Sequence, residues 1–199
     1  IDNDPYHLVL LCKDRTGYEN LCYLVSQAFT NGFYGKPRVD LELLQQHHEG
    51  LIAPSACLVG AIPQRLLMED YDAAKDYAIK LADIFGEDHF YLELQDHGMK
   101  EQKELNGVLT RMGREFGIPL VCTNDVHYVS KEDAEMQRVL CCIQTGTTLQ
   151  EDNPLHFETE EFYLKSAEEM APLFPADAIE NTARIAERCQ VDIEFGKIK

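Results

Sequence analysis

"GIPLVCTNDVHYVS", Gly117 to Ser130, is the stretch on which the reading of this chain turns. Its apolar run, Ile118 to Cys122, has the length and composition of a buried strand. An acid and a histidine follow, two residues apart. In extended backbone, residues i and i+2 point the same way, so Asp125 and His127 face one side. A carboxylate and a neutral imidazole are common ligands for Zn²⁺, Mn²⁺ or iron. The same pair also fits a plain turn, with Asp125 capping the loop and His127 packed on Tyr128.

Outward from this stretch, short apolar runs recur. "HLVLLCK" (His7 to Lys13), "LIAPSAC" (Leu51 to Cys57) and "HFYLELQ" (His89 to Gln95) read as further strands, although Pro54 weakens the second. Helical patterns separate them. Leu21, Leu24, Val25, Ala28 and Phe29 are expected on one buried face of a helix that ends near Asn31-Gly32. "DLELLQQHHEG" is expected to be a short helix closed by Gly50, with His47 and His48 at the surface. Gly60 to Glu69 reads helical, and Asp70 caps a helix to about Phe85. "KEQKELNGVLTRMGREFG" is a long helix closed by Gly117, and "KEDAEMQRVLCCIQTG" is the next helix. Ser166 and Glu169 form a capping-box pair, and a last helix spans about Asp177 to Cys189.

Strand alternates with helix four times, and the strands are apolar throughout. That is the pattern of mostly parallel strands covered on both faces: an α/β fold, either an open sheet or part of a barrel. In both architectures sites gather at the carboxyl ends of strands, where Cys57 and the Asp125/His127 pair fall. Cys57 is a ligand if a metal is near and a small buried hydrophobe if none is. His97, in "LQDHG", is a weaker ligand candidate, and His89 and His156 carry no pattern.

Lys and Arg total 18 against 35 Asp and Glu, a formal charge of −17. Such a surface repels phosphate backbones, so a free-standing nucleic-acid binder is disfavoured. No apolar run approaches the about 20 residues of a membrane helix. "IDNDPYH" has neither a basic nor an apolar segment of a signal peptide. Seven cysteines, without a CxxC pair, indicate a reducing, cytoplasmic protein without disulfides or a zinc knuckle. Phosphate-cradling glycine loops, GxSxG elbows and dinucleotide fingerprints are absent.

Several segments together add a resemblance. "HLVLLCKDRTGYENL", "GFYGKPRVDLELL", "GLIAPSACLVGAIP", "YLELQDHGMKEQ", "VCTNDVHYVSKEDAE", "FYLKSAEEMAPLFP" and "NTARIAERC" occur in order. From about His7 onward the chain resembles the PHP (polymerase and histidinol phosphatase) domain of bacterial DNA polymerase III alpha subunits. The resemblance implies a distorted, TIM-like β/α barrel of PHP type, present here in part, with up to three metal ions at its rim. Carried over by motif, His7, Cys57, Asp125 and His127 are implied metal ligands for Zn or Mn, with Asp125 and His127 catalytic. The family's His-x-His, a following histidine and a glutamate are not found. The chain is therefore expected to be a piece of a larger polypeptide. Residues 1–199 would be roughly the C-terminal two-thirds of one PHP domain, and 155–199 a helical tail leading to the polymerase region.

The implied activity is metal-dependent phosphodiester hydrolysis at a DNA 3′ end within a replicative polymerase, with the piece itself inactive or holding one weak site. The implied partners are the rest of the alpha chain, a proofreading subunit and, through the polymerase, DNA; no membrane is implied. Two alternatives stand beside it: a non-catalytic docking module for the proofreading subunit, and a free-standing PHP phosphoesterase.

Overall fold

The computed structural model describes residues 5–151, 155, 157–193 and 195–196; Ile1 to Asp4 and His156 lie outside the described residues. Among the described residues four strands form one open sheet in the order β1-β2-β3-β4: Leu11–Cys12, Leu51–Pro54, Phe90–Leu94 and Leu120–Cys122. β2, β3 and β4 pair in parallel, with Ala53 opposite Phe90 and Leu94 opposite Cys122. Every residue of these three strands is buried, as expected of parallel strands with both faces covered. The α/β class is therefore observed. The sheet does not close on itself, and β1 runs antiparallel to β2.

The helices are α1 (Arg15–Thr30), α2 (Leu41–Gln46), α3 (Ala61–Leu67), α4 (Tyr71–Phe85), α5 (Lys100–Phe116), α6 (Ala134–Thr145), α7 (Ala167–Met170) and α8 (Ala176–Arg188). Local chemistry sets their ends. The Asp70 side chain accepts from Ala73 N and starts α4, Gly117 ends α5 in the left-handed conformation, and Ser166 and Glu169 form the capping box of α7.

The strand period of two divides the core. Leu51, Ala53, Phe90, Leu92, Leu94, Leu120 and Cys122 face the larger core, which α4 and α5 supply with Ala74, Ala78, Leu81, Leu109 and Met112. Ile52, Tyr91 and Val121 face the other way and meet Ile185 of α8 and Cys189. Glu93 shares that second face by alternation. α8 also binds both borders of the sheet. Pro119 O faces β3, accepting from Leu92 N, so alternation turns Leu120 O outward, where buried Asn181 donates to it at 2.7 Å. Just past α8, Gln190 N donates to Lys13 O beside β1 at 2.8 Å.

Four expectations are corrected. Only Leu11–Cys12 of the first apolar run is strand; His7 makes an isolated bridge to Gly60. The run sits at the sheet border, where few ladder bonds enforce extension. On α1, Leu24 and Ala28 are buried, whereas Val25 and Phe29 point to solvent, because one neighbouring layer cannot cover so wide an arc. α2 ends at Gln46, four residues before Gly50. His47 and His48 are half-buried, against Tyr23 and Phe85 respectively.

The start of α1 is fitted to the turn before β2. A Cβ on Gly17 would fall 1.9 Å from Gly50 O, and Gly50 itself has φ +75°. Gly17→Ala is expected to destabilise the chain by about 1–3 kcal/mol or more, because backbone must move. Gly107, exposed in α5 with open space around it, behaves oppositely. Gly107→Ala should stabilise by about 0.5–1 kcal/mol. Urea-unfolding midpoints of the two variants check both signs.

Candidate metal centre

The carboxyl ends of β2, β3 and β4 meet at one mouth, and a buried acid joins them. Glu93 is 5% exposed on β3. One carboxylate oxygen accepts from Ala56 N at 2.9 Å, in the loop after β2. The other accepts from Gln95 Nε2 at 3.0 Å and from Thr123 Oγ1 at 2.5 Å, just past β4. Glu93 N in turn donates to Ser55 Oγ at 2.9 Å. The carboxylate fixes the Gln95 amide with its nitrogen toward Glu93 and Thr123, and leaves Gln95 Oε1 buried with no hydrogen-bond partner.

On either side of this network stand the four residues implied as ligands. The Cys57 sulfur lies 3.8 Å from His7 Nδ1, and His7 is held by its N–H to Val59 O. His127 Nε2 lies 3.5 Å from Asp125 Oδ1, and each side chain is 37% exposed. The His127 ring packs on Phe157 and Phe162 at 4.6 and 5.6 Å between centroids, rather than on Tyr128. The backbone is left-handed at Ala56 (φ 69°) and Asp125 (φ 40°), beside or at a ligand in each loop. Such non-glycine conformations persist where the surroundings over-determine them, and they concentrate at functional sites.

Electrostatics link the two pairs. Burial pushes the Cys57 thiol up, the Val59 backbone opposes this, and the negative charges of Asp125 and Glu93 push it up further. Asp125 also acts on Glu93 and His97. The structure thus brings His7 to Cys57 and Asp125 to His127, on one mouth. It does not merge the pairs: among the described residues, no three His, Cys, Asp or Glu side chains are grouped so as to hold a metal ion. Sulfur, imidazole and carboxylate donors suit a divalent cation in kind, and the contacts supply them as two halves.

His97 drops out as a ligand. It is fully buried and stacked on Phe162 at 4.0 Å. Its Nε2 donates to Asn124 O at 2.9 Å, and its Nδ1 accepts from Gln102 Nε2 at 2.9 Å. Burial drives its pKa below the ordinary imidazole value, and the neutral ring steadies the carbonyl preceding Asp125. Sequence reasoning missed Glu93 altogether. Its one signal was an acid inside "FYLEL", an apolar strand covered on both faces, where an unpartnered carboxylate does not survive.

Glu93 also gives a sign to the pH dependence of stability. Burial is the largest influence and raises its pKa above 4.5, against hydrogen bonds from Thr123, Gln95 and Ala56 that lower it. Between 4.5 and that raised value, the folded chain holds more protons than the unfolded one, so this contribution to stability falls as pH rises. The stability of the chain relative to Glu93→Gln should therefore decline from pH 4.5 upward, as measured by denaturant unfolding at stepped pH. A difference that grows with pH would contradict it.

Comparison with known proteins shows what the chain is similar to. Residues 1–97 match the PHP domain. The chain is 49% identical over 190 residues to the DNA polymerase III subunit alpha of Treponema pallidum (strain Nichols), covering 94% of this chain and 16% of that protein. It is 47% identical over 186 residues to that of Borreliella burgdorferi, covering 92% of this chain and 16% of the relative. It is 45% identical over 201 residues to that of Thermus aquaticus, covering 98% of this chain and 16% of that protein. The chain thus spans about one-sixth of the length of these relatives. Residues 1–97 match the PHP domain family, and nearly the whole chain is similar to one segment of DNA polymerase III alpha subunits.

Proposed function

We propose that this chain is part of a replicative DNA polymerase III alpha subunit and carries much of its PHP metal centre. The observation that carries this reading is the 49% identity sustained over 94% of the chain. The open sheet is then part of a TIM-like barrel whose remaining strands come from elsewhere in the polypeptide. His7, Cys57, Asp125 and His127 are its ligands from this chain, for Zn²⁺ or Mn²⁺. A bound cation of this kind supplies water activation and neutralises charge on a phosphodiester. Asp125 and His127 would face the substrate, a DNA 3′ end cleaved in the 3′–5′ direction. Phe157 and Phe162 hold the His127 ring in its orientation. With two separate pairs, this chain alone holds at most one weakly bound ion. The other partners are the remainder of the alpha chain and a proofreading subunit, in the cytoplasm. Among the described residues no helix is long and apolar enough to cross a membrane.

A docking role is the second reading. It is favoured by the acidic balance of −17 and by the outward row Met136, Leu140 and Ile143 on α6, which are 62%, 53% and 72% exposed. Protein surfaces of that kind suit a protein partner better than DNA.

Metal analysis of the full-length polymerase, with cleavage of a labelled DNA 3′ end, separates the two. Under the enzymatic reading, zinc or manganese co-purifies, and Asp125→Asn or His127→Ala lowers metal affinity or cleavage by about 10–100-fold or more. A metal-free polymerase that captures the proofreading subunit through this domain would favour docking.

A further inference from the structure

Taking the rim to be the metal site proposed above, we infer that Glu93 is its positioning residue: one buried carboxylate ties the loop of Cys57 to the loop of Asp125 and sets the distance between the two ligand pairs. Glu93 touches neither pair directly. It reaches one through the N–H of Ala56, the residue before Cys57, and the other through the hydroxyl of Thr123, two residues before Asp125. Both loops turn left-handed where they carry their ligand, at Ala56 and at Asp125. That conformation is unfavourable for a non-glycine residue, so each loop needs an anchor just upstream or alongside. The carboxylate provides both anchors from one rigid point on the central strand pair. Hydrogen bonds to an ionised acceptor are about twice as strong as neutral ones, which suits the task.

An acid is required here, not only a polar side chain of the same shape. Three donors converge on Glu93: a backbone amide, a side-chain amide and a hydroxyl. A glutamine has one acceptor oxygen in place of two, so the N–H it turns toward Ala56 N or toward the Gln95 amide nitrogen would face another donor. Gln95 cannot replace it, because its own nitrogen is already directed at Glu93 and Thr123.

The test uses nuclear magnetic resonance of the 199-residue chain. Glu93→Gln is expected to shift the Ala56, Cys57 and Asp125 resonances together, leaving those of distant Ala78 unchanged. Thr123→Val should shift Asp125 and spare Ala56, and Thr123→Ser, which keeps the hydroxyl, should restore the parent spectrum. The Thr123 pair still decides the matter if Glu93→Gln does not fold. Resonances of Ala56, Cys57 and Asp125 that stay in place in Glu93→Gln would overturn the inference. So would Thr123→Val and Thr123→Ser spectra that agree. A parallel titration with cobalt(II) alone reads the consequence. The thiolate-to-cobalt absorption of the parent chain should require about tenfold or more additional metal in Glu93→Gln. A parent chain that takes up no cobalt counts against the metal site, while the resonance shifts still decide whether Glu93 positions the loops.

Discussion

Three parallel strands buried on both faces leave polar chemistry almost nowhere to go. β2, β3 and β4 spend their backbone groups on one another and their side chains on two apolar layers. Functional groups can then appear only where the strands end. Three of the four ligand candidates obey this rule, Cys57 after β2 and Asp125 and His127 after β4, while His7 precedes β1 and is bridged to Gly60. Glu93 breaks it, one residue short of the end of β3, and is tolerated because every donor around it is turned inward to meet it. The position of the mouth and the presence of one buried acid behind it follow from the same constraint.

What could be read from sequence was whatever has a period or a fixed offset. The continuous apolar runs of β3 and β4, the Asp70 and Ser166 caps and the Gly117 stop are local signals, and the chain folds locally as they dictate. Asp125 and His127 do lie 3.5 Å apart, but the backbone at Asp125 is left-handed and not the extended one from which their i, i+2 spacing was read. The two ends of β1 and the outward turn of Val25 and Phe29 are different. They depend on which layers happen to cover a border strand or a helix flank, and no spacing within the segment encodes that. The Glu93 network needs the register of three strands before Ala56, Gln95 and Thr123 can be seen to meet. His97 looked like a weak ligand candidate because it follows a strand end; its burial is decided by Phe162, 65 positions later in sequence numbering.

Phe162 belongs to a segment that returns to the mouth after α6 and gives it a wall. His127 N donates to Phe162 O, Asn124 donates its side-chain N–H to Tyr163 O, and Thr159 donates its hydroxyl to His97 O. Lys165, almost wholly buried, lies over the Tyr163 ring and pairs with Glu161, which Lys131 also grips. The loop bearing Asp125 and His127 is therefore held from two sides, by Glu93 through Thr123 and by this returning segment. The Cys57 loop has the first support without the second, so the two halves of the candidate centre differ in how firmly they are fixed.

The 13 residues of α8 do more than cover a face. By engaging Leu120 at one border and, through Gln190, Lys13 at the other, this stretch behaves as a buckle across the whole sheet. Brief melting of that single helix would bare two unsatisfied rims and the small apolar patch of Ile52, Tyr91 and Val121 at once. Self-association of this polypeptide would then begin from α8, well away from the mouth that holds the candidate ligands.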